Sequence, residues 1–287
     1  MHPNSVERLA STLTESSVLA VIPARYHSTR LPGKVLADIA GKPMIEHVYR
    51  RAAAATRVHA VIVATDDERI AKAVAAFGGA AMMTRADHAS GTDRIAETMA
   101  VLRCGIVVNV QGDEPLIEPA TIDAAVAPLV ADTSLEMSTL SRPLRNFEEF
   151  NSPHVVKVVT NSVGDALYFS RSPIPYSRAG GLPLAARAHV GLYVYRPETL
   201  FKLAAAPTAP LERAESLEQL RALAHGIRIR VVDTTHVAAG VDTPEDLERV
   251  RQLMRTSARP EKQASYGPSP AAPLVGADRR GTHQSRT

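Results

Sequence analysis

The chain has 287 residues, 45% hydrophobic and 22% charged, with a formal net charge of +3. That suffices for one large domain or two small ones with a sizeable core. No apolar run approaches the roughly eighteen residues that span a membrane, and the excess charge sits in the C-terminal tail, so neither membrane nor nucleic acid is an expected partner.

In that tail Arg259, Lys262, Arg279, Arg280 and Arg286 oppose only Glu261 and Asp278, which leaves residues 18–256 almost balanced. Residues 1–17 are polar and carry Glu7, Arg8 and Glu15. They lack the apolar core of a secretory signal and read as a flexible, frayed extension. The single cysteine, Cys104, excludes an intrachain disulfide and suits a reducing cytoplasm.

In chain order, Val18 to Ile22 predicts a buried strand and Met44 to Ala55 an amphipathic helix. Val58 to Thr65 predicts a second buried strand. Asp66 to Phe77 predicts a helix stopped by Gly78-Gly79. A short strand follows over Ala80 to Thr84, a helix over Thr92 to Leu102, a buried strand over Gly105 to Val110 and a helix from Pro119 to about Val130. Apolar strands alternating with helices indicate an α/β fold, Rossmann-like, with a mixed, mostly parallel sheet covered on both faces. The pattern then changes. Strands over Val155 to Thr160, Ala166 to Ser170 and Val190 to Tyr195 lie between polar loops, which predicts a small β-rich lobe inserted over about 150–196. Helices over Pro197 to Ala204 and Leu211 to Ala224, a strand over Ile227 to Val232, and a helix from the Thr243 cap to about Arg255 complete the domain, 18–256. Residues 257–287 are rich in Pro, Gly, Ser and charge and are expected to be disordered.

The loop after the first strand reads Pro23-Ala24-Arg25-Tyr26-His27-Ser28-Thr29-Arg30-Leu31-Pro32-Gly33-Lys34. A cationic loop at the carboxyl end of a strand suits phosphate, with Arg as a fork of donors and Lys as a point charge. It is neither a Walker A loop nor a dinucleotide fingerprint. Asp113, in Gln111-Gly112-Asp113-Glu114-Pro115, follows a strand at the same expected rim, where a carboxylate suits Mg²⁺. Asp242 precedes the last helix's cap, a place that the helix dipole alone explains. The histidines show no zinc spacing, and Gly-x-Ser-x-Gly is absent.

These motifs, in order, resemble nucleotidyltransferases that activate acidic sugars with CTP, and more closely the 3-deoxy-manno-octulosonate cytidylyltransferase (CMP-Kdo synthetase) family. The resemblance rests on the loop above, Thr84-Arg85-Ala86-Asp87-His88 with Ser90-Gly91-Thr92, Val110 to Pro115, Phe169-Ser170-Arg171 with Ile174-Pro175, His189 to Arg196, Leu217 to Arg221, and Gly240 to Leu247. It runs from about Val18 to Arg255, and the stretch from Tyr176 to Ala188 is shorter and less polar than the family pattern. The resemblance implies transfer of CMP from CTP to the anomeric hydroxyl of 3-deoxy-D-manno-octulosonate (Kdo), with release of pyrophosphate, for lipopolysaccharide biosynthesis. It implies CTP contacts from Pro23, Ala24, Arg25, Ser28, Lys34, Arg85, Ser90, Gly91, Gln111 and Asp113, of which Arg25, Lys34 and Asp113 are catalytic. It implies sugar contacts from Gln111, Arg171, His189, Tyr193, Glu218 and Gln219, Mg²⁺ ligation by Asp113 and Asp242, and a cytoplasmic homodimer. The rivals are a cytidylyltransferase for a sialic-acid-like sugar and a non-catalytic nucleotide-binding regulator.

Overall fold

In the computed structural model, which describes residues 4–257 except 29, 179, 238 and 239, the chain opens with α1 (Asn4–Thr12) and β1 (Val18–Ala24). The cationic loop then leads through one 3-10 turn (Lys34–Leu36) to the ribbon β2 (Asp38–Ile39) and β3 (Lys42–Pro43). Next come α2 (Met44–Ala53), β4 (Ala60–Thr65), α3 (Glu68–Ala76), β5 (Ala81–Met83), α4 (Gly91–Met99), β6 (Ile106–Asn109) and α5 (Pro119–Ala131). They are followed by β7 (Met137–Pro143), α6 (Phe147–Asn151), β8 (Lys157–Thr160), β9 (Ala166–Ser170) and β10 (Arg187–Tyr195). The last elements are α7 (Pro197–Ala205), α8 (Pro210–Glu215), α9 (Gln219–Ala224), β11 (Ile229–Asp233) and α10 (Pro244–Ser257).

The sheet runs β11-β7-β10-β6-β1-β4-β5. Along it β10 alone opposes its neighbours; the other pairings are parallel. This is the expected mixed, mostly parallel sheet. Side chains alternate across β1: Val18, Ala20 and Ile22 belong to the core that includes α2, α3 and α5, while Leu19 and Val21 belong to the one that includes α4, α7 and α9. Burial on both faces is why this strand reads as an unbroken apolar run. Among the described residues no helix is long and apolar enough to cross a membrane.

Four features differ from expectation. Residues 4–12 form a helix rather than a frayed end, because Val6, Leu9 and Leu13, spaced for one helical face, pack on the core. β7 carries no apolar signature and was not expected, yet it lies well inside the sheet. Its Ser138, Thr139, Ser141 and Arg142 are buried and find partners there, such as Ser138 Oγ donating to Ala125 O at 2.6 Å and Arg142 pairing with Glu149. The inserted lobe is narrower than 150–196, because only the hairpin β8–β9 stands off the main path and β10 belongs to the sheet. The single helix expected over 211–224 is two, split at Ser216, which adopts a left-handed conformation (φ 51°). The tail expected to be disordered lies outside the described residues beyond 257.

Candidate active site

At the carboxyl end of β1 the chain turns back on itself. Gly33 has φ 70°, and its N–H donates to Tyr26 O at 2.8 Å. A Cβ there would stand 3.0 Å from the Tyr26 ring, so only glycine fits without a shift. Arg69 stacks 3.3 Å above that ring and is itself held by Asp67, at 2.9 and 2.6 Å.

This turn aims Lys34 across the rim. Its Nζ donates to Asp113 Oδ2 at 2.6 Å, to Asp242 Oδ1 at 3.0 Å and to Val241 O at 3.1 Å. Burial works against the charge, but Asp113 and Asp242 outweigh it and hold the Lys34 pKa above its ordinary value. Arg30 pairs with the second oxygen of Asp242 at 3.1 Å. The two carboxylate loops are joined by Val241 N donating to Asp113 O at 2.9 Å. Gly112 permits the close approach, since a Cβ would lie 3.1 Å from Pro23 O. Thr243 and Asp246 cap α10 between them, leaving the Asp242 carboxylate directed at Lys34 and Arg30. The local explanation of Asp242 as a helix-dipole acid is therefore insufficient. Beside it, burial first and the Asp113 charge second raise Glu114 to about 7.

The loop that leads into α4 is braced from within. Arg25 donates through one amino group to His88 O at 2.6 Å and Ser90 O at 3.2 Å. Ser90 caps α4 in a reciprocal box with Asp93, and Gly91 lies against Pro23. Arg85 is exposed and pairs with Asp87 at 3.0 Å. Ser28 is half-buried, and Ala24 is buried at the end of β1. Beneath the loop the fully buried Arg94 donates to Thr84 Oγ1 at 2.5 Å and pairs with Asp66 at 3.4 Å.

A second region lies where β10 meets α9. Thr92, Tyr193, Tyr195, Glu218, Gln219 and Arg221 line a small cavity with Met137, Leu203 and Ala222. Glu218 Oε1 and Gln219 Nε2 are buried there without a partner. The break at Ser216 places both at the start of α9, rather than along a solvated helix face. Burial, then Tyr195 and Glu218, raises the Tyr193 pKa, so its hydroxyl stays protonated. Tyr193 pairs in register with Asn109, whose side chain accepts from Gln111 Nε2 at 3.3 Å; this ties the cavity to the loop that bears Asp113. His189 adjoins Tyr193, with ring centroids 5.5 Å apart, and burial lowers its pKa to about 3. Arg171 is not among the lining residues. Its guanidinium donates to the carbonyls of Glu215, Pro153 and Ser216 at 2.8, 3.0 and 3.4 Å.

A mostly parallel sheet with one antiparallel strand, and a cationic turn facing two carboxylates at its rim, is a nucleotidyltransferase-like fold. The cytidylyltransferase family profile matches residues 19–229. The 3-deoxy-manno-octulosonate cytidylyltransferase of Solibacter usitatus is 55% identical over 240 residues, 84% of this chain and 95% of that protein. Its namesake from Geobacter metallireducens is 57% identical over 243 residues, 81% of this chain and 96% of that protein. Among solved structures, CMP:2-keto-3-deoxy-manno-octonic acid synthetase complexed with CTP superposes with a TM-score of 0.80 at 48% identity, covering 84% of this chain and all of that one. The fold alone is shared with a Leptospira borgpetersenii cytidylyltransferase (TM-score 0.58, 18% identity, 84% of this chain and 87% of that one). The chain belongs to the 3-deoxy-manno-octulosonate cytidylyltransferase family.

Proposed function

We propose that the protein transfers CMP from CTP to the anomeric hydroxyl of Kdo, giving CMP-Kdo for lipopolysaccharide biosynthesis and releasing pyrophosphate. The observation that carries this reading is the convergence of Asp113 and Asp242 on one cation, Lys34, at the rim where the cationic loop emerges. The sugar oxygen attacks the α-phosphorus, the bond from that phosphorus to the bridging oxygen breaks, and the sugar's own C–O bond stays intact. Lys34 and Arg25 would balance charge on the triphosphate and the leaving pyrophosphate. Glu218, Gln219 and Tyr193 offer hydroxyl partners to the sugar from one small cavity.

The donor set fits Mg²⁺. Two hard carboxylates lie within 3.0 Å of one positive centre, and no group of three or more His, Cys, Asp or Glu competes among the described residues. Mg²⁺ favours one or two carboxylates with substrate phosphates completing its shell. Asp113 and Asp242 would hold it, and when bound it supplies the positive charge that aligns the triphosphate and acidifies the attacking hydroxyl.

We also infer a cytoplasmic homodimer. Phe147, Tyr176, Leu182 and Leu184 expose apolar surface around the region from Asn146 to Leu184, and Leu184 is fully exposed. Analytical ultracentrifugation of the parent and of Leu184→Glu tests this: a parent monomer removes it.

Purified protein with CTP, Mg²⁺ and a panel of acidic sugars tests the activity. Pyrophosphate release with Kdo, lost with chelator and restored by Mg²⁺, is expected. Turnover with a sialic acid alone would reassign the sugar. Binding of CTP without pyrophosphate release would leave a nucleotide-binding regulator.

A further inference from the structure

We infer that Thr139 is a positioning residue for sugar binding: its hydroxyl fixes the His189 ring as the Nε2–H tautomer and so presents Nδ1 as an acceptor to an incoming hydroxyl. This rests on His189 belonging to the sugar site.

The device begins in the strand register. β10 pairs with β7 at His189↔Ser141 and Val190↔Leu140, then resumes at Tyr193↔Thr139. The bulge over residues 191 and 192 carries His189 and Tyr193 close together on one side of the strand. Bulges of this kind re-aim side chains beside active sites. Thr139 lies under it, with no exposed surface of its own. Its Oγ1 is 2.9 Å from Leu192 O, 3.3 Å from Val190 O and 2.9 Å from His189 Nε2.

A threonine hydroxyl has one proton to donate. Both carbonyls can only accept, and they claim that proton. The oxygen's lone pair therefore faces the imidazole, and Nε2 brings the hydrogen. Phe169 at 5.0 Å and Tyr193 at 5.5 Å fix the plane of the ring. Burial keeps the ring neutral, so a proton on Nε2 leaves none on Nδ1. Nδ1 makes no hydrogen bond among the described residues, and unlike Glu218 Oε1 it is not sealed from solvent. Thr139 never touches the sugar; it acts through the ring.

The test combines kinetics with nitrogen-15 NMR of histidine-labelled full-length protein. In the parent, His189 should show the Nε2–H tautomer. Thr139→Val keeps the shape and removes the hydroxyl. The KM for Kdo should rise about tenfold while the KM for CTP stays within about twofold. The His189 signals should move towards the Nδ1–H form. Thr139→Ser should restore both the tautomer and the sugar KM. A parent spectrum with Nδ1–H overturns the inference even if the valine variant fails to fold. So does a folded Thr139→Val with the parent's tautomer and sugar KM, or a serine variant that restores neither. His189→Ala separates the two levels: an unchanged sugar KM there removes His189 from the sugar site, whereas a raised one alongside a silent Thr139→Val removes only the role of Thr139.

Discussion

The rim proposed to hold phosphate and the cavity proposed to hold the sugar meet their polar groups in opposite ways. At the rim Lys34, Arg30, Asp113 and Asp242 already answer one another's charge before any substrate arrives. In the cavity Glu218 Oε1 and Gln219 Nε2 are buried and unanswered, and Tyr193 and the His189 that adjoins it are neutral. A rim of paired charges would have to exchange partners to admit the proposed metal and triphosphate, so each new contact there would replace an old one. A cavity with orphaned groups gains a hydrogen bond outright when the right hydroxyl enters, and leaves a buried group unpaired when the wrong sugar does. Discrimination between sugars is therefore expected from the cavity, and charge handling from the rim.

The sharpest way to break this comparison is at the carboxylates. Asp113→Asn and Asp242→Asn should each lower turnover by about a thousandfold or more, because the triphosphate is no longer aligned. Two bare carboxylates would repel, and losing one would then stabilise the metal-free protein. The bridging Lys34 reverses that sign: each variant should lose roughly 1 kcal/mol by calorimetric unfolding without metal, since the pair is only partly buried. A melting temperature equal to the parent's would show that the rim is not pre-paired.

In the cavity, Gln219→Ala should raise the KM for Kdo about tenfold and leave that for CTP within about twofold. Equal changes for both substrates would merge the two regions into one. A smaller effect separates them from the other side. Lys34→Gln removes the resident cation, so Mn²⁺, whose free form is counted by electron paramagnetic resonance, should bind without nucleotide roughly fivefold more tightly, even as the KM for CTP rises. Weaker Mn²⁺ binding would show that Lys34 does not occupy the cation's place.

The last test is in acid. His189 has its pKa lowered to about 3 by burial, so the unfolded chain takes up its proton first as pH falls. Its contribution to stability is complete above about pH 6.5 and is lost progressively down to about pH 3. His189→Gln should flatten the fall of melting temperature in that window; an unchanged slope would place the ring in water.

Local sequence alone determined the parallel core, because β1, β4 and β6 are buried on both faces and read as apolar runs. It also determined the cationic turn, where Gly33 and Lys34 are adjacent in the chain. What only the tertiary structure decided is how distant polar groups meet. β7 was hidden because its buried hydroxyls and Arg142 find partners on other elements, and a single strand's pattern does not record them. Thr139 was hidden with it. The split at Ser216 followed no breaker residue, yet it turns Glu218 and Gln219 into the cavity. Arg171 was expected to bind a carboxylate; three of its five N–H donors go to carbonyls from two other segments, which no local pattern records. Asp242 looked like a helix-end acid until Lys34, far away in the chain, was brought against it. Hydrophobic burial is written in local periodicity, whereas polar pairing depends on which loops the finished sheet brings to one rim.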